Sequence, residues 1–366
     1  MAGALDGLRV VELSGLGPAP FCAMMLADMG ADVVRVERPG GAESLKPTDV
    51  LARGRHMVEL DLKSAEGAAA LREMVKEADV LIEGFRPGVM ERLGLGPDAC
   101  LLLNERLVFA RMTGWGQTGP MASRAGHDLN YIAISGALYA IGTADGPPAV
   151  PLNLLGDFGG GGMMLAMGIL AGVISARQTG KGQVIDAAMT DGAAILTSMM
   201  WGFMGAGQWI NERGANFLDG AAHFYTTYEC ADGKHLAVGA IEPQFYALML
   251  EGCGLKPTDL PQDYRNRENW QASKAVLAPV FKCKTRDEWC QVFEGKDACV
   301  APVLDWQEAL HHEHNVARET FIELEGVVQP SPAPRFCGTP SKAQASVIES
   351  EGVTGVLRRW VSSTSA

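Results

Sequence analysis

Short strand-like runs and helix-like runs alternate from the first residues of this chain, and that alternation commits its N-terminal half to a parallel sheet flanked by helices. Residues 8–13, 31–36, 56–62, 79–82 and 107–112 read as strands, because each is a compact run of apolar and β-branched residues bounded by turn formers. Residues 21–29 read as a helix, and Ser64 caps a second that runs to about Glu77. Residues 160–178 and 184–204 are apolar and glycine-studded on most faces, so both are expected as helices buried in the core or at an interface. The texture then changes. Residues 225–230 and 235–239 flank Ala231-Asp-Gly-Lys234 and form a strong hairpin signal, and helices with polar faces follow to about residue 315. The expected architecture is α/β: a Rossmann-like, doubly wound parallel-sheet domain over residues 1–185, completed by 321–366, a linker helix and loop at 186–225, and a smaller α+β domain at 226–320.

The chain has 366 residues, 47% of them hydrophobic, which is enough for a full core and a second domain. A formal charge of −12 argues against general nucleic-acid binding, so any anionic ligand must be met by a local cationic cluster. The eight cysteines include no CxxC pair and suggest free thiols in a reducing compartment. No signal peptide is expected at the N-terminus, no uncharged apolar run is expected to reach membrane-spanning length, and the final Ser-Thr-Ser-Ala is not a peroxisomal address. A cytoplasmic protein without membrane association is the expectation.

The first strand runs into Gly15-Leu-Gly-Pro-Ala-Pro20, which looks like the start of a dinucleotide fingerprint with Glu37 near the acidic position. Its third glycine is replaced by Pro20, so a tight βα turn with proline at the start of a helix is the preferred reading. Arg38, Arg53, Arg55, Lys63, Arg86 and Arg92 fall at expected strand ends or in the loops after them, where open α/β sheets bind ligands and where cations can meet several phosphates. His127 and Asp157 each begin an apolar stretch. As a pair they can pass protons to and from one small substrate; singly, each has an ordinary structural reading, the carboxylate as a helix cap. His311-His-Glu-His314 reads as a solvated turn, since adjacent residues point to different helix faces, and no metal site is expected.

Several stretches then carry a resemblance. Residues 7–13, 30–36, 111–120 and 179–183, with Ala125-Gly-His-Asp-Leu-Asn-Tyr131, residues 151–160 and residues 238–246, are similar to the family III CoA-transferases, the CaiB/BaiF superfamily, and within it to the racemase branch. The resemblance spans about residues 5–340. It implies interconversion of (R)- and (S)-2-methyl-branched acyl-CoA thioesters by two-base α-proton transfer through an enolate, in an intertwined homodimer with no cofactor beyond the CoA moiety of the substrate. His127 and Asp157 would be the bases. The Asp128 amide would be an enolate-oxygen donor, and Glu242, arriving from the partner subunit, would orient His127. CoA would be held by Arg38, Leu60, Asp61, Leu62, Lys63, Arg86, Gly126, Leu129, Asn130 and Tyr131, with Arg53 and Arg92 added on charge and position. The alternative is a CoA-transferase in which Asp157 accepts the acyl group; family transferases typically carry tyrosine where this chain has His127. One departure from the family pattern is His223, which stands in place of a proline near a loop expected to shape the substrate range.

Overall fold

The computed structural model describes residues 3–347 and 352–362. The tetrapeptide 363–366, read above for a sorting address, and residues 1, 2 and 348–351 of the proposed large domain lie outside them. The chain divides into two compact units, one of Met1–Ser135, Pro151–Thr197 and His314–Ala366, the other of Gly136–Val150 and Ser198–Glu313.

The first unit is built on six parallel strands: β1 (Arg9–Leu13), β2 (Asp32–Glu37), β3 (Arg55–Glu59), β4 (Val80–Glu83), β5 (Val108–Thr113) and β6 (Gln183–Ala188), in the order β3-β2-β1-β4-β5-β6. Helices α1 (Pro18–Asp28), α2 (Ala65–Glu77), α3 (Val89–Arg92), α4 (Pro97–Leu103) and α5 (Asp128–Ile134) intervene. A π-helix, Leu154–Met163, runs on into α6 (Met164–Thr179), and α7 (Met189–Leu196) follows β6. Strands β1, β2, β4 and β5 are buried along nearly their whole length, as expected where helices cover both faces of a parallel sheet. Val10, Val33, Val80 and Val108 meet α1 and α6 on one face, while Val11, Val34, Leu81 and Phe109 meet α2 and the C-terminal helix (Gly352–Ser362) on the other.

Charges inside this core are paired. Arg35 meets Glu12 at 3.0 Å and Glu37 at 2.7 Å, and Arg55 meets the second oxygen of Glu12 at 3.0 Å. Breaking such a pair leaves an uncompensated buried charge at a cost of about 3–5 kcal/mol, so these residues are structural.

The strands anticipated from sequence are present, and three expectations for this unit are corrected. Residues 183–188 form β6 and not the start of a helix, because β5 offers an open edge and residues 108–113 pair in register with 183–188. The glycine run before α6 is wound as a π-helix. Residues 154–179 also make one helix that is long and apolar enough to cross a bilayer, contrary to the expectation from sequence, yet Leu165, Ala166, Ile169, Val173 and Ala176 are buried in the sheet's core.

In the second unit, after α8 (Ser198–Gly205), β7 (Tyr225–Glu229) and β8 (His235–Gly239) form the expected hairpin, with Glu229 opposite His235. A third strand, β9 (Val300–Pro302), joins β8 within a stretch read from sequence as helical. Helices α9 (Pro243–Gly252), α10 (Trp270–Phe281) and α11 (Arg286–Phe293) enclose its core. Segment 136–150 belongs here because Arg213 donates to the carbonyls of Tyr139, Thr143 and Gly146.

Candidate active site

The strand order reverses between β1 and β4. Open α/β sheets place ligands at such a switch point, beyond the carboxyl ends of the strands. A cleft of about 450 Å³ opens there, lined by the loops after β1 (Gly15 to Ala19), β4 (Gly84 to Pro87) and β5 (Thr113 to Trp115), and by Arg124, His127, Tyr131, Asp157 and Met189.

Each chemical group is placed by local structure. Gly17 ends the β1 loop at φ 71°, a left-handed conformation that side chains avoid, and hands the chain to Pro18 at the first position of α1. A Cβ on Gly17 would also sit 3.3 Å from Asp157 Oδ2, so glycine keeps the carboxylate's approach open. His127 caps α5, and Asn130 Oδ1 accepts its amide hydrogen at 3.0 Å, which fixes its backbone. The next residue reaches across. Asp128 is 5% exposed, and its Oδ2 accepts the N–H groups of Gly156 at 2.6 Å and Asp157 at 2.7 Å. It therefore holds the first turn of the π-helix against α5. Gly160 and Gly161 let that helix lie directly on α7 and α1, since a Cβ on Gly160 would be 2.6 Å from the Ala193 nitrogen and one on Gly161 2.9 Å from Pro18 Cβ.

Burial, reinforced by the Asp128 charge, raises the Asp157 carboxyl above its ordinary range, against the lowering effects of its hydrogen bond from Asn153 Nδ2 and of the nearby His127. A carboxyl group so placed retains a proton more readily than one in water, as an acid that must also act as a base requires. Tyr131 donates its hydroxyl to the Gly126 carbonyl and lies edge-on to Trp115 with ring centres 4.7 Å apart. Gly114 makes room for that ring, since a Cβ there would lie 2.0 Å from Tyr131 Cζ.

Of the residues singled out from sequence, the cleft brings together Arg86, Gly126, His127, Tyr131 and Asp157. Arg38 follows β2, Leu60, Asp61, Leu62 and Lys63 follow β3, and all lie on the same edge of the sheet; Arg38 and Lys63 are exposed. Arg92 is exposed at the end of α3, and Leu129 and Asn130 are exposed on α5. Arg53 is placed differently. It is 6% exposed and its guanidinium is bound to Asp28 at 2.5 and 3.0 Å, to Gln329 Oε1 at 2.8 Å and to the Pro330 carbonyl at 3.0 Å, so its charge is answered inside the protein. Arg55 is likewise buried. Glu242 belongs to the second unit, where it caps α9 and is exposed. His223, the departure from the family's proline, is fully buried; its Nε2 lies 3.0 Å from the Tyr246 hydroxyl, and burial lowers its pKa to about 4, which keeps it neutral.

Arg124, Trp115, Phe85 and Leu16 line the cleft and were not singled out from sequence. Leu16 is 94% exposed, an apolar side chain offered to whatever occupies the cleft. The signal that finds them is the switch-point rule applied to the loops after β1, β4 and β5.

Comparison with known proteins places the chain in a family. Residues 5–350 match CoA-transferase family III. The chain is 52% identical over 339 residues to human alpha-methylacyl-CoA racemase, covering 92% of this chain and 88% of that one, and 50% identical to the mouse protein of the same name, covering 97% and 93%. A crystal structure of a CAIB/BAIF family protein from Brucella suis superposes with a TM-score of 0.81 at 25% identity, covering 98% of this chain and 99% of the other.

Proposed function

Since this chain belongs to CoA-transferase family III, and a histidine and a carboxyl group face one cleft at the switch point of its sheet, we propose that it is an isomerase interconverting the (R) and (S) forms of 2-methyl-branched acyl-CoA thioesters. The observation that carries this reading is the pairing of His127 with Asp157, a carboxyl group held above its ordinary pKa range. Inverting the carbon beside a thioester requires removal of its α-proton, a planar enolate, and return of a proton to the opposite face. One group serves each face. The Asp128 N–H, at the first position of α5 where no intrahelical acceptor exists, supplies a donor for the enolate oxygen. Glu242, contributed by the partner in an intertwined homodimer, orients His127. A second copy also gives cover to Leu152, Leu154, Met163, Met167 and Ile195, each more than half exposed in one chain.

The CoA moiety is met by Arg38, residues 60–63, Arg86, Arg92 and residues 126–131. Arg86 and Arg124 are exposed cations at the cleft, available to phosphates. The reaction asks for no metal and no cofactor beyond the CoA of its substrate, and the location proposed with it is the cytoplasm.

Incubating the protein with a 2-methylacyl-CoA in heavy water should exchange the α-proton for deuterium with no second acyl acceptor present, as followed by proton NMR. Transfer of CoA from an acyl donor to a free acid, with no exchange, would establish instead a transferase using Asp157 as the acyl acceptor. Arg86→Ala should raise KM about tenfold or more while kcat stays within about twofold, because a phosphate contact remote from the reacting carbon holds substrate and transition state alike. Steady-state kinetics with unchanged KM would remove Arg86 from the CoA site.

A further inference from the structure

The turn that carries Arg86 into the cleft is held at both ends by one buried guanidinium. Glu83, the last residue of β4, is fully buried; its Oε1 accepts from Arg111 Nε at 2.8 Å, and its Oε2 accepts the Phe85 N–H at 2.7 Å. Arg111 lies on β5 directly opposite Glu83 in the register, and it is 6% exposed. Its remaining nitrogens cross to the far side of the turn, where Nη1 meets Glu91 Oε1 at 2.8 Å and Nη2 meets Glu91 Oε2 at 3.4 Å. Between these anchors the chain folds back on itself, with the Val89 N–H on the Arg86 carbonyl at 3.1 Å and Gly88 in the left-handed region at φ 82°. Arg86 is thus exposed within a seven-residue bridge, Gly84 to Met90, with Glu83 and Glu91 just outside its ends and both on Arg111.

We propose that Glu83, Arg111 and Glu91 form a clamp whose function is to aim Arg86 at the phosphate end of the substrate, with Glu83 as its principal positioning residue. Burying the charges of Glu83 and Arg111 is costly, and an apolar cluster under this turn would stabilise the fold at least as well. What the ionic arrangement adds is direction. The Phe85 amide is tied to an oxygen whose own place is set by the sheet register, so the next residue leaves the strand along a fixed line. A turn whose backbone is held in this way loses little freedom when an anion reaches the cation it carries. The inference rests on the reading of Arg86 as a CoA contact.

The test separates the clamp from a merely structural role by the part of the substrate that senses it. Glu83→Gln should raise KM for a 2-methylacyl-CoA about tenfold, the loss of one charge-assisted hydrogen bond, while KM for the matching pantetheine thioester, which lacks the nucleotide and its phosphates, stays within about twofold, as does kcat for both. Glu91→Gln, at the exposed end of the clamp, should act in the same direction at about threefold. In the double variant Glu83→Gln with Arg86→Ala, KM should equal that of Arg86→Ala alone, since an aimless turn adds nothing once its cation is gone. Equal rises in KM for the two thioesters, a fall in kcat, or multiplying effects with Arg86→Ala would overturn the proposal. If Glu83→Gln does not fold, Glu91→Gln in the same cycle decides by the same criteria. Calorimetric binding of free CoA gives an arm independent of turnover: weakened binding in both clamp variants supports the clamp even if α-proton exchange is absent, and unchanged binding overturns it.

Discussion

His127→Ala should abolish net racemisation, with a fall of at least about a hundredfold, yet leave slow α-proton exchange on the one enantiomer whose proton faces Asp157. Asp157→Ala should show the opposite preference. The two outcomes mirror each other because each group serves one face of the enolate, and loss of either removes reprotonation from that face. Inversion then fails in both directions, while exchange with retention survives on one. Both pure enantiomers should be incubated with each variant in heavy water, with deuterium uptake and chirality followed separately. Inversion of both enantiomers at near wild-type rates by either variant would defeat the two-base mechanism.

The second large effect is on stability. Gly192→Ala should destabilise the protein by about 3 kcal/mol, the upper end of overpacking costs, and lower the urea midpoint accordingly. A Cβ at Gly192 would stand 1.8 Å from the Gly160 carbonyl oxygen, a backbone atom that no rotamer change can move. Helix α7 must therefore separate from the π-helix, and Asp157, in the first turn of that helix, is displaced with it. Gly202→Ala on α8 is the control. Nothing lies within 4 Å of its Cβ position, so it should be neutral or slightly stabilising. Equal midpoints for the two variants would show that the contact at Gly192 has no energetic weight.

The central strands were legible because a parallel sheet covered on both faces leaves uninterrupted apolar runs such as Val80 to Ile82. Strand β6 was not, since it lies at the sheet's edge with half of its residues exposed and continues without a break into the apolar α7. Its identity depends on β5 needing a partner, which local pattern does not carry. The π-helix was hidden for a related reason. Glycines carry no preference for that winding, so the helix read from residue 160 gives no sign of its π start at Leu154, and only the close approach of Pro18, Phe21 and Gly192 explains why the glycines are there. Within the site, His127 and Asp157 stood out by chemistry and by resemblance. Arg53 misled, because a cation after a loop looks free until Asp28 and Gln329 are seen to enclose it. Arg124 and Trp115 went unassigned, since their importance comes from the loop after β5 turning into the cleft and not from their neighbours in sequence.

The two hydrogen bonds that Asp128 accepts have a consequence for heritable change in this protein. His127 is joined by one peptide link to Asp128, and Asp128 is joined by one hydrogen bond to the amide of Asp157 itself. The spacing between the two proton carriers is thus set by a tether a few atoms long, and only indirectly by the sheet beneath. Substitutions that shift an outer helix by a fraction of an ångström leave that spacing intact, so the scaffold is free to drift in sequence while the chemistry keeps its dimensions.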